Sequence, residues 1–357
     1  MKILISSHLF SPSVGGVEAV GLILAEEFAA LGNEVRVVTQ TVETSDREFP
    51  FQILRRPRAA ALLKAVHWCD LFLHNNISLQ TAWPLAVLRR PWLIVHHTWI
   101  SRPDGECGWQ DRLKKFVLRF GHSIAISQAI ADSLPVPSRR IRDPYDDQLF
   151  RETPGAGRTA DLIFVGRLVS DKGMDLLINA LGTLKEQGLV PGLTVVGSGP
   201  ELKSLQNQAR ERGVGGQITF AGPKVGGALV ELLNQHRILV VPSRWQEPFG
   251  LVALEGIACG CVVVGSSGGG LKDAIGPCGV TFPNGDLPGL VAALSGLLAC
   301  PEKLDGYKRA ASEHLAPHRR RTVAQAYWDV MEGATQEGSL PRVSSARAMP
   351  AWKSEHP

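Results

Sequence analysis

The stretch that decides the fold is RILVVPSRWQEPFGLVALEGIACGCVVVGSS, residues 237–267. It contains an apolar run, RILVVPS, then a polar loop, then the apolar-rich segment FGLVALEGIACG ending at Gly260, and finally a second apolar run, CVVVGSS. Two short apolar runs separated by a segment of helical length that ends at glycine predict a strand–helix–strand unit with parallel strands. The unit indicates an α/β domain whose sheet is covered on both faces.

The same alternation extends upstream from this stretch. Three more strands are predicted in DLIFVGR, LTVVGSG and QITFAG, and three more helices in MDLLINALGTLKEQG, PELKSLQNQARERG and GALVELLNQH, which together cover residues 161–236. Residues 301–334 are also predicted to be helical, and TVAQAYWDVME within them is amphipathic enough to pack on a neighbour. The pattern indicates a doubly wound domain.

The first part of the chain repeats the pattern. A βαβ unit is predicted at its start, with strands at Lys2–Ser7 and Glu34–Thr39 and a helix at Val17–Leu31 between them. Three further strands are predicted at Leu71–His74, Trp92–His97 and Ser123–Ile126. ETPGAGRTA, residues 152–160, has the composition of a linker. A chain of 357 residues is too long to fold around a single hydrophobic core. The predicted fold is therefore α/β with two Rossmann-like doubly wound domains facing a central cleft.

The domain boundaries follow from these segments. We expect a first Rossmann-like domain at residues 1–150, a second at 151–318, a helix at 319–334 that packs back on the first domain, and a disordered tail at 335–357.

Composition narrows the class of protein. Hydrophobic residues at 44% and charged residues at 20% are typical of a globular enzyme and exclude a fibrous or disordered chain. The net charge of +4 hides an asymmetry, because residues 51–142 carry 14 Lys and Arg against 5 Asp and Glu. That excess fits either an ordinary solvated surface or an anionic acceptor or membrane surface. The sequence has no basic stripe interleaved with aromatic residues, so no nucleic acid is expected as a partner.

Cysteine spacing and the amino terminus bear on the compartment. The six cysteines show neither CxxC spacing nor clustered histidines, so no metal site is predicted. The start, MKILISSHLFSPSVGG, contains only a short apolar run, unlike a signal peptide or a membrane span of roughly 20 residues. We expect a cytoplasmic protein, with peripheral contact at the inner face of the membrane as an open alternative.

Two motifs have the chemistry needed to bind a diphosphate. VGRLVSDKG places Arg167 and Lys172 in the loop after a predicted strand, at the sheet edge where ligands bind in open α/β folds. In EPFGLVALE, Gly250 and Leu251 lie at a helix start whose N–H groups suit phosphate oxygens. Glu247 precedes that helix and Glu255 lies within it, where carboxylates can accept hydrogen bonds from sugar and ribose hydroxyls.

Together with VVGSGPE and SPSVGGVE, these motifs resemble the retaining GT-B glycosyltransferases with a paired-glutamate motif. These are the group 1 glycosyltransferases, which include bacterial phosphatidylinositol mannosyltransferases and sucrose-phosphate synthases. The resemblance implies a hexosyltransferase-like enzyme that binds the nucleotide sugar on its second domain and the acceptor on its first. It implies a UDP- or GDP-sugar donor, no required cofactor and no metal ion.

The resemblance also assigns residues. It implies a catalytic set of Glu247, His97, Arg167 and Lys172. It also implies a larger donor-binding set that overlaps with the first, consisting of Gly15, Gly16, Arg167, Lys172, Gly197, Glu247, Phe249, Gly250, Leu251 and Glu255. His96 is the alternative to His97, because neighbouring strand residues face opposite sides. Trp99, Arg102 and Trp109 follow His97 and could line an acceptor site, although aromatic residues beside a cleft often only pack.

Three further features leave alternatives open. Ser127 matches a hinge position of the family and is equally an ordinary helix N-cap. Near the linker, family members often have Pro-Asn-Gly-Val-Asp where this chain has RDPYDDQLF, a departure on the acceptor side. DRLKKFVLRFGH is compatible with an interfacial helix and also with ordinary helix packing, and packing is the favoured interpretation.

The expected reaction is a front-face transfer with retention. No carboxylate in these motifs is placed as a back-face nucleophile, so double displacement is not predicted. The expected role is in polysaccharide or glycoconjugate synthesis, with a glycan, lipid or small-molecule acceptor. A non-catalytic nucleotide-sugar-binding subunit and a nucleotide-sugar 2-epimerase are the alternatives.

Overall fold

A computed structural model describes residues 1–43, 47–100, 108–155 and 157–336. These residues form two parallel β-sheets, one of seven strands and one of six, each flanked by helices. The architecture confirms the predicted α/β fold with two Rossmann-like sheets.

The first sheet has the strand order β3-β2-β1-β4-β5-β6-β7, and every pair is parallel. Its strands are β1 Lys2–Ser7, β2 Glu34–Thr39, β3 Gln52–Arg55, β4 Leu71–Asn75, β5 Trp92–His96, β6 His122–Ala125 and β7 Ser138–Arg140. The order reverses between β1 and β4, so the loops that follow these two strands diverge and leave a crevice. Sequence patterns missed β3 and β7, which are short edge strands with few buried residues.

The second sheet has the order β10-β9-β8-β11-β12-β13, again all parallel. Its strands are β8 Ala160–Val165, β9 Leu193–Val196, β10 Ile218–Gly222, β11 His236–Val241, β12 Val262–Ser266 and β13 Gly279–Phe282. Here the order reverses between β8 and β11. This reversal is the point at which open α/β sheets bind ligands.

Fourteen α-helices lie within the described part of the chain. They are α1 Gly16–Ala30, α2 Ala59–Trp68, α3 Leu79–Ala82, α4 Trp109–Val117, α5 Gln128–Ser133, α6 Met174–Glu186, α7 Leu202–Glu211, α8 Gly227–Gln235, α9 Leu251–Ala258, α10 Leu271–Ile275, α11 Leu287–Leu298, α12 Glu302–Arg309, α13 Ala311–Leu315 and α14 Arg320–Gln336.

The central strands are buried along their whole length. All five residues of β4, β5 and β12 are buried, as expected of parallel strands covered by helices on both faces. The predicted helix at 249–260 is shorter in the structure, because Gly250 at φ 121° and Gly260 at φ 83° have backbone conformations outside the helix. The predicted helical segment 301–334 is interrupted around Pro317, which lacks the N–H needed to continue a helix.

The carboxyl-terminal helix returns to the first sheet's side of the molecule. Helix α14 packs on α1, and Arg320 at its start forms ion pairs with Glu26 at 2.6 Å, Glu27 at 3.0 Å and Asp146 at 3.2 Å. The chain therefore crosses back after completing the second sheet. The domain boundaries themselves stay a prediction.

In the described ranges, no single helix is long and apolar enough to cross a membrane. One bent pair, Leu287–Leu298 with Glu302–His318, passes by length and composition alone, with a bend of 102°.

Candidate functional site

Two loops meet at the reversal point of the second sheet. The loop after β8 carries Arg167 and Lys172, and the loop after β11 carries Glu247. Their backbones are joined, because the carbonyl oxygen of Asp171 accepts hydrogen bonds from the N–H groups of Arg244 at 2.9 Å and Trp245 at 3.2 Å. The two motifs recognised in the sequence therefore form one site.

Glycines allow these loops to approach each other. Gly173 has φ 68°, and a Cβ there would overlap the carbonyl oxygen of Pro242 in the loop after β11. Gly197, a predicted donor-binding residue, has φ 144°, and a Cβ there would overlap the carbonyl oxygen of Gly166. Both positions therefore require glycine for backbone reasons.

Lys172 and Glu247 form an ion pair at the centre of the site. The Nζ atom of Lys172 donates to Oε1 of Glu247 at 2.5 Å, and the hydroxyl of the buried Ser243 donates to the same oxygen at 2.6 Å. The side chains are 25% and 12% exposed. The sequence assigned these residues to different parts of a donor, and the structure brings them into direct contact. Ser243 was missed, although it lies four residues before Glu247.

A glycine run that sequence reasoning missed holds the backbone of Glu247. The N–H of Gly270 donates to the carbonyl oxygen of Glu247 at 2.7 Å, and Gly269 at φ 71° leaves no room for a Cβ beside that oxygen. Asn284 accepts from the N–H of Gly268 at 2.7 Å and donates to the carbonyl of Trp245 at 2.8 Å. The three consecutive glycines at 268–270 were the available indication, in the sequence, of this close backbone contact.

Helix α9 begins at Leu251, four residues after Glu247, and Gly250 is its N-cap at φ 121°. Within the described residues, no protein acceptor is recorded for the N–H groups of Gly250 and Leu251, which therefore stay available to an anion. Phe249, a predicted donor-binding residue, has a buried ring that packs against His318 with 5.5 Å between centroids. Its side chain is thus part of the protein interior.

Glu255 and Arg167 lie on the two loop-and-helix segments that form the site. Glu255 is partly buried on α9, and burial, with a smaller contribution from Asp146, raises the pKa of its carboxyl group to about 7. Arg167 is exposed. Across the ranges described, neither side chain forms an ion pair or hydrogen bond, so both remain available to a ligand.

The glycine loop of the first lobe, the part of the chain built on the first sheet, faces the start of α9. Gly15 caps α1 and Gly16 begins it, directly after the loop that follows β1. A Cβ on Gly16 would lie 4.0 Å from Cδ2 of Leu251. The structure therefore brings the amino-terminal ends of α1 and α9 together, one from each sheet.

His97 lies at the end of β5 between two side chains that sequence reasoning missed. Its Nε2 is 2.7 Å from Oδ1 of Asn75, and its Nδ1 is 3.2 Å from Oδ1 of Asp143. Because Nδ2 of Asn75 donates to the carbonyl of Val17 at 2.9 Å, its Oδ1 must be the atom facing His97, so Nε2 of His97 carries a proton. Asn75 is the last residue of β4, a strand that borders the reversal point of the first sheet. That position in the sheet was the available indication that Asn75 belongs to a site.

His96, the alternative to His97, points elsewhere. Its ring is fully buried with Nε2 3.2 Å from the hydroxyl of Ser123, and burial together with the neighbouring His97 lowers its pKa to about 3. A neutral, enclosed imidazole of this kind is typical of a core residue.

Two hydrogen bonds join the first lobe to the segment around Glu247. The indole of Trp99 donates to the carbonyl of Gln246 at 3.0 Å, and the hydroxyl of Ser127 donates to the carbonyl of Pro248 at 2.7 Å. Ser127 also accepts from the N–H of Ile130 at 3.3 Å, so it is both a helix cap and an inter-lobe contact. Arg102, the other predicted acceptor residue, lies outside the described residues.

No metal-binding cluster occurs in the parts of the chain that the structure describes, where no group of three or more His, Cys, Asp or Glu side chains could hold an ion. Whether the protein needs a metal stays a prediction.

Comparison with known proteins identifies the second half of the chain. Residues 146–314 match the family described as Glycosyl transferases group 1. The chain is 36% identical over 180 residues to glycogen synthase of Mycobacterium tuberculosis, covering 50% of this chain and 42% of that protein. It is 31% identical over 204 residues to the GDP-mannose-dependent alpha-(1-6)-phosphatidylinositol monomannoside mannosyltransferase of Mycolicibacterium smegmatis, covering 53% and 51%. The chain thus spans about half the length of these relatives.

Solved structures match over nearly the whole chain. Sucrose-phosphate synthase from Thermosynechococcus elongatus superposes with a TM-score of 0.79 at 20% identity, covering 94% of this chain and 100% of that one. Anabaena HepE in complex with UDP-glucose gives 0.78 at 20%, covering 93% and 100%. At this identity the likeness establishes the GT-B fold.

Proposed function

We propose that the protein is a retaining glycosyltransferase, because residues 146–314 match the family described as Glycosyl transferases group 1. It moves a sugar from a nucleotide-diphosphate sugar to an acceptor hydroxyl. The observation that carries the proposal is the Lys172–Glu247 pair at the reversal point of the second sheet, with the open start of α9 beside it. The site combines cations and N–H groups for a diphosphate with a carboxylate for sugar hydroxyls.

The donor is expected to be a UDP- or GDP-sugar. One similar structure contains UDP-glucose and one relative uses GDP-mannose, which supports this class of ligand. In the proposed pose, Arg167, Lys172 and the first N–H groups of α9 bind the diphosphate. Glu255 accepts hydrogen bonds from the ribose, and Glu247 accepts them from the transferred sugar.

The contact between Lys172 and Glu247 suggests how the donor engages the site. Among the described residues, the one anionic partner of Lys172 is Glu247, the proposed sugar-binding carboxylate. A diphosphate brings two negative charges that compete for the same ammonium group. Binding would therefore draw Lys172 to the phosphates and release Glu247 to the sugar hydroxyls.

The proposed reaction proceeds on one face of the sugar. The bond between the anomeric carbon and the diphosphate oxygen breaks, and its electron pair goes to the diphosphate. The acceptor oxygen bonds to the same face of that carbon, and its proton goes to a diphosphate oxygen. Arg167, Lys172 and the start of α9 stabilise the charge that grows on the leaving group.

The acceptor is expected on the first lobe, opposite the donor. The described residues best placed to border it are His97, whose ring is hydrogen-bonded to Asn75, and Trp99, whose indole donates a hydrogen bond to the carbonyl of Gln246. A glycan, lipid or small molecule is expected, in polysaccharide or glycoconjugate synthesis.

Slow donor hydrolysis tests the proposal without knowledge of the acceptor. The purified protein is incubated with UDP-, GDP- and ADP-sugars, and both nucleoside diphosphate release and the anomeric form of the freed sugar are followed by NMR. We expect one nucleotide class to be cleaved, with retention, and Glu247→Gln to slow cleavage about 100-fold while the exposed control Glu186→Gln leaves it unchanged. Binding without cleavage would favour a non-catalytic subunit, and inversion would contradict the mechanism.

A further inference from the structure

The backbone around Glu247 is extended. Glu247 precedes Pro248, and the residue before a proline is restricted to extended conformations. It also forms a parallel bridge with Gly269. Successive carbonyl groups of an extended chain point to opposite sides, so neighbouring residues of this segment can be bonded from different directions.

The second lobe, the part of the chain built on the second sheet, binds two of these carbonyl groups. The carbonyl oxygen of Trp245 accepts from Nδ2 of Asn284 at 2.8 Å, and that of Glu247 accepts from the N–H of Gly270 at 2.7 Å. The carboxylate of Glu247 also has both of its described partners in this lobe. These contacts lie within the second lobe and do not depend on the first.

The first lobe binds the alternate carbonyl groups, on either side of Glu247. The indole N–H of Trp99 donates to the carbonyl oxygen of Gln246 at 3.0 Å, and the hydroxyl of Ser127 donates to that of Pro248 at 2.7 Å. Four consecutive carbonyl groups, at residues 245–248, are thus bonded by the two lobes in turn. These four residues form an inter-lobe segment that carries the proposed sugar-binding carboxylate.

The two lobes are closely packed at Pro248. A Cβ on Gly270 would overlap the carbonyl oxygen of Pro248 and would lie 2.8 Å from Cβ of Ser127. Ser127 itself is buried, with 2% exposure. Moving the first lobe away would therefore break two hydrogen bonds to the inter-lobe segment and leave the bonds from the second lobe in place.

We propose that Trp99 and Ser127 are positioning residues for the transfer reaction, and that they act through the backbone on either side of Glu247. When the two lobes are together, the four bonded carbonyl groups fix the inter-lobe segment, and the Glu247 carboxylate is aligned with the transferred sugar. When the lobes are apart, the donor still binds to the second lobe, but the carboxylate is no longer fixed from both sides. The inference rests on the proposed role of Glu247 in transfer.

Hydrolysis of the nucleotide sugar by the full chain tests the inference, with the variants Trp99→Phe and Ser127→Ala. Each variant loses one hydrogen bond to the inter-lobe segment. Because small displacements of a reacting group are costly, we expect each to lower kcat for hydrolysis about tenfold. Nucleoside diphosphate Kd, measured by calorimetry, should change less than about twofold, since the proposed diphosphate ligands lie in the second lobe. Water replaces the acceptor in this assay, so a residue that only borders the acceptor would leave kcat unchanged.

The Glu247→Gln variant identifies the route of the effect. If Trp99 and Ser127 act through Glu247, the same two substitutions should change the kcat of Glu247→Gln by less than about twofold. An effect of the same size in both backgrounds would show that the two residues act elsewhere, and it would overturn the inference.

Two substitutions control for general effects. Asp286 caps α11 as Ser127 caps α5, so Asp286→Ala should lower Tm as Ser127→Ala does, without changing kcat. Trp83→Phe removes the indole N–H of an exposed tryptophan in the first lobe and should change neither quantity.

Other results would also contradict the inference. Unchanged hydrolysis by Trp99→Phe or Ser127→Ala would overturn it, as would a loss of nucleotide affinity that matches the loss of kcat. A wild-type protein that cleaves no nucleotide sugar would contradict the proposed function, and this inference with it.

Discussion

Replacing Glu247 by Gln should separate turnover from nucleotide binding. The variant keeps an oxygen for the hydroxyl of Ser243 but loses the negative charge that lies 2.5 Å from Nζ of Lys172. A hydrogen bond between charged groups contributes about 1.5–3 kcal/mol when desolvated. Since both side chains are partly exposed, at 25% and 12%, the loss of folding stability should be nearer about 1 kcal/mol. The protein should therefore stay folded.

The effect on catalysis should be larger. If Glu247 binds the transferred sugar most strongly in the transition state, its loss should lower kcat about 100-fold. Nucleoside diphosphate affinity should not weaken and can tighten, because Lys172 no longer has a competing carboxylate. Steady-state release of nucleoside diphosphate gives kcat, and isothermal titration calorimetry gives Kd, with Glu186→Gln as the control. An unchanged kcat, or a Kd that weakens as much as kcat falls, would refute this role.

Three further predictions concern the surrounding residues. Since burial and Asp146 raise the pKa of Glu255 from 4.5 to about 7, its ionisation should cost stability as pH rises through that window. Glu255→Gln should be more stable than wild type at pH 8 by about 1–3 kcal/mol, with no difference near pH 4, as followed by urea unfolding. Wild-type affinity for the nucleotide sugar, whose diphosphate does not titrate in this range, should rise from pH 6 to 8 as the Glu255 carboxylate forms, whereas that of the variant should stay flat; equal profiles would contradict the ribose role. Arg167→Gln should lower nucleoside diphosphate affinity about tenfold in calorimetry without changing Tm, because the side chain has no protein partner among the described residues. His97→Ala should lower kcat at least about tenfold while leaving nucleotide Kd unchanged, since the ring belongs to the first lobe; a matching loss of affinity would argue against that placement.

The fold was largely predictable because its signals are local. Strands such as β5 and β12 are continuous apolar runs, and helices such as α6 end at glycines, so both are visible in one sequence. The edge strands β3, β7 and β13 were not predicted, because an edge strand buries little and need not be apolar. Helix boundaries differed where glycine or proline interrupts the backbone, as at Gly250 and Pro317.

The candidate site was predicted in its parts but not in its connections. Arg167, Lys172 and Glu247 were placed at the correct sheet edge by the strand–loop–helix pattern. Their pairing was not predictable, because it depends on β8 and β11 being neighbours across 75 residues of chain. Asn75 and Asp143 were missed for the same reason, since each acquires its partner only when β4, β5 and the segment after β7 meet.

The central claim is that the loops after β8 and β11 bind a nucleoside diphosphate. Calorimetric titration of UDP, GDP and ADP without metal, into wild type and Lys172→Met, tests this claim most directly. We predict that wild type binds at least one of the three and is stabilised by about 2.7 kcal/mol at a ligand concentration 100 times Kd. Lys172→Met should bind the same nucleotide at least about tenfold more weakly. Failure of all three nucleotides to bind, or equal binding by the variant, would contradict the account.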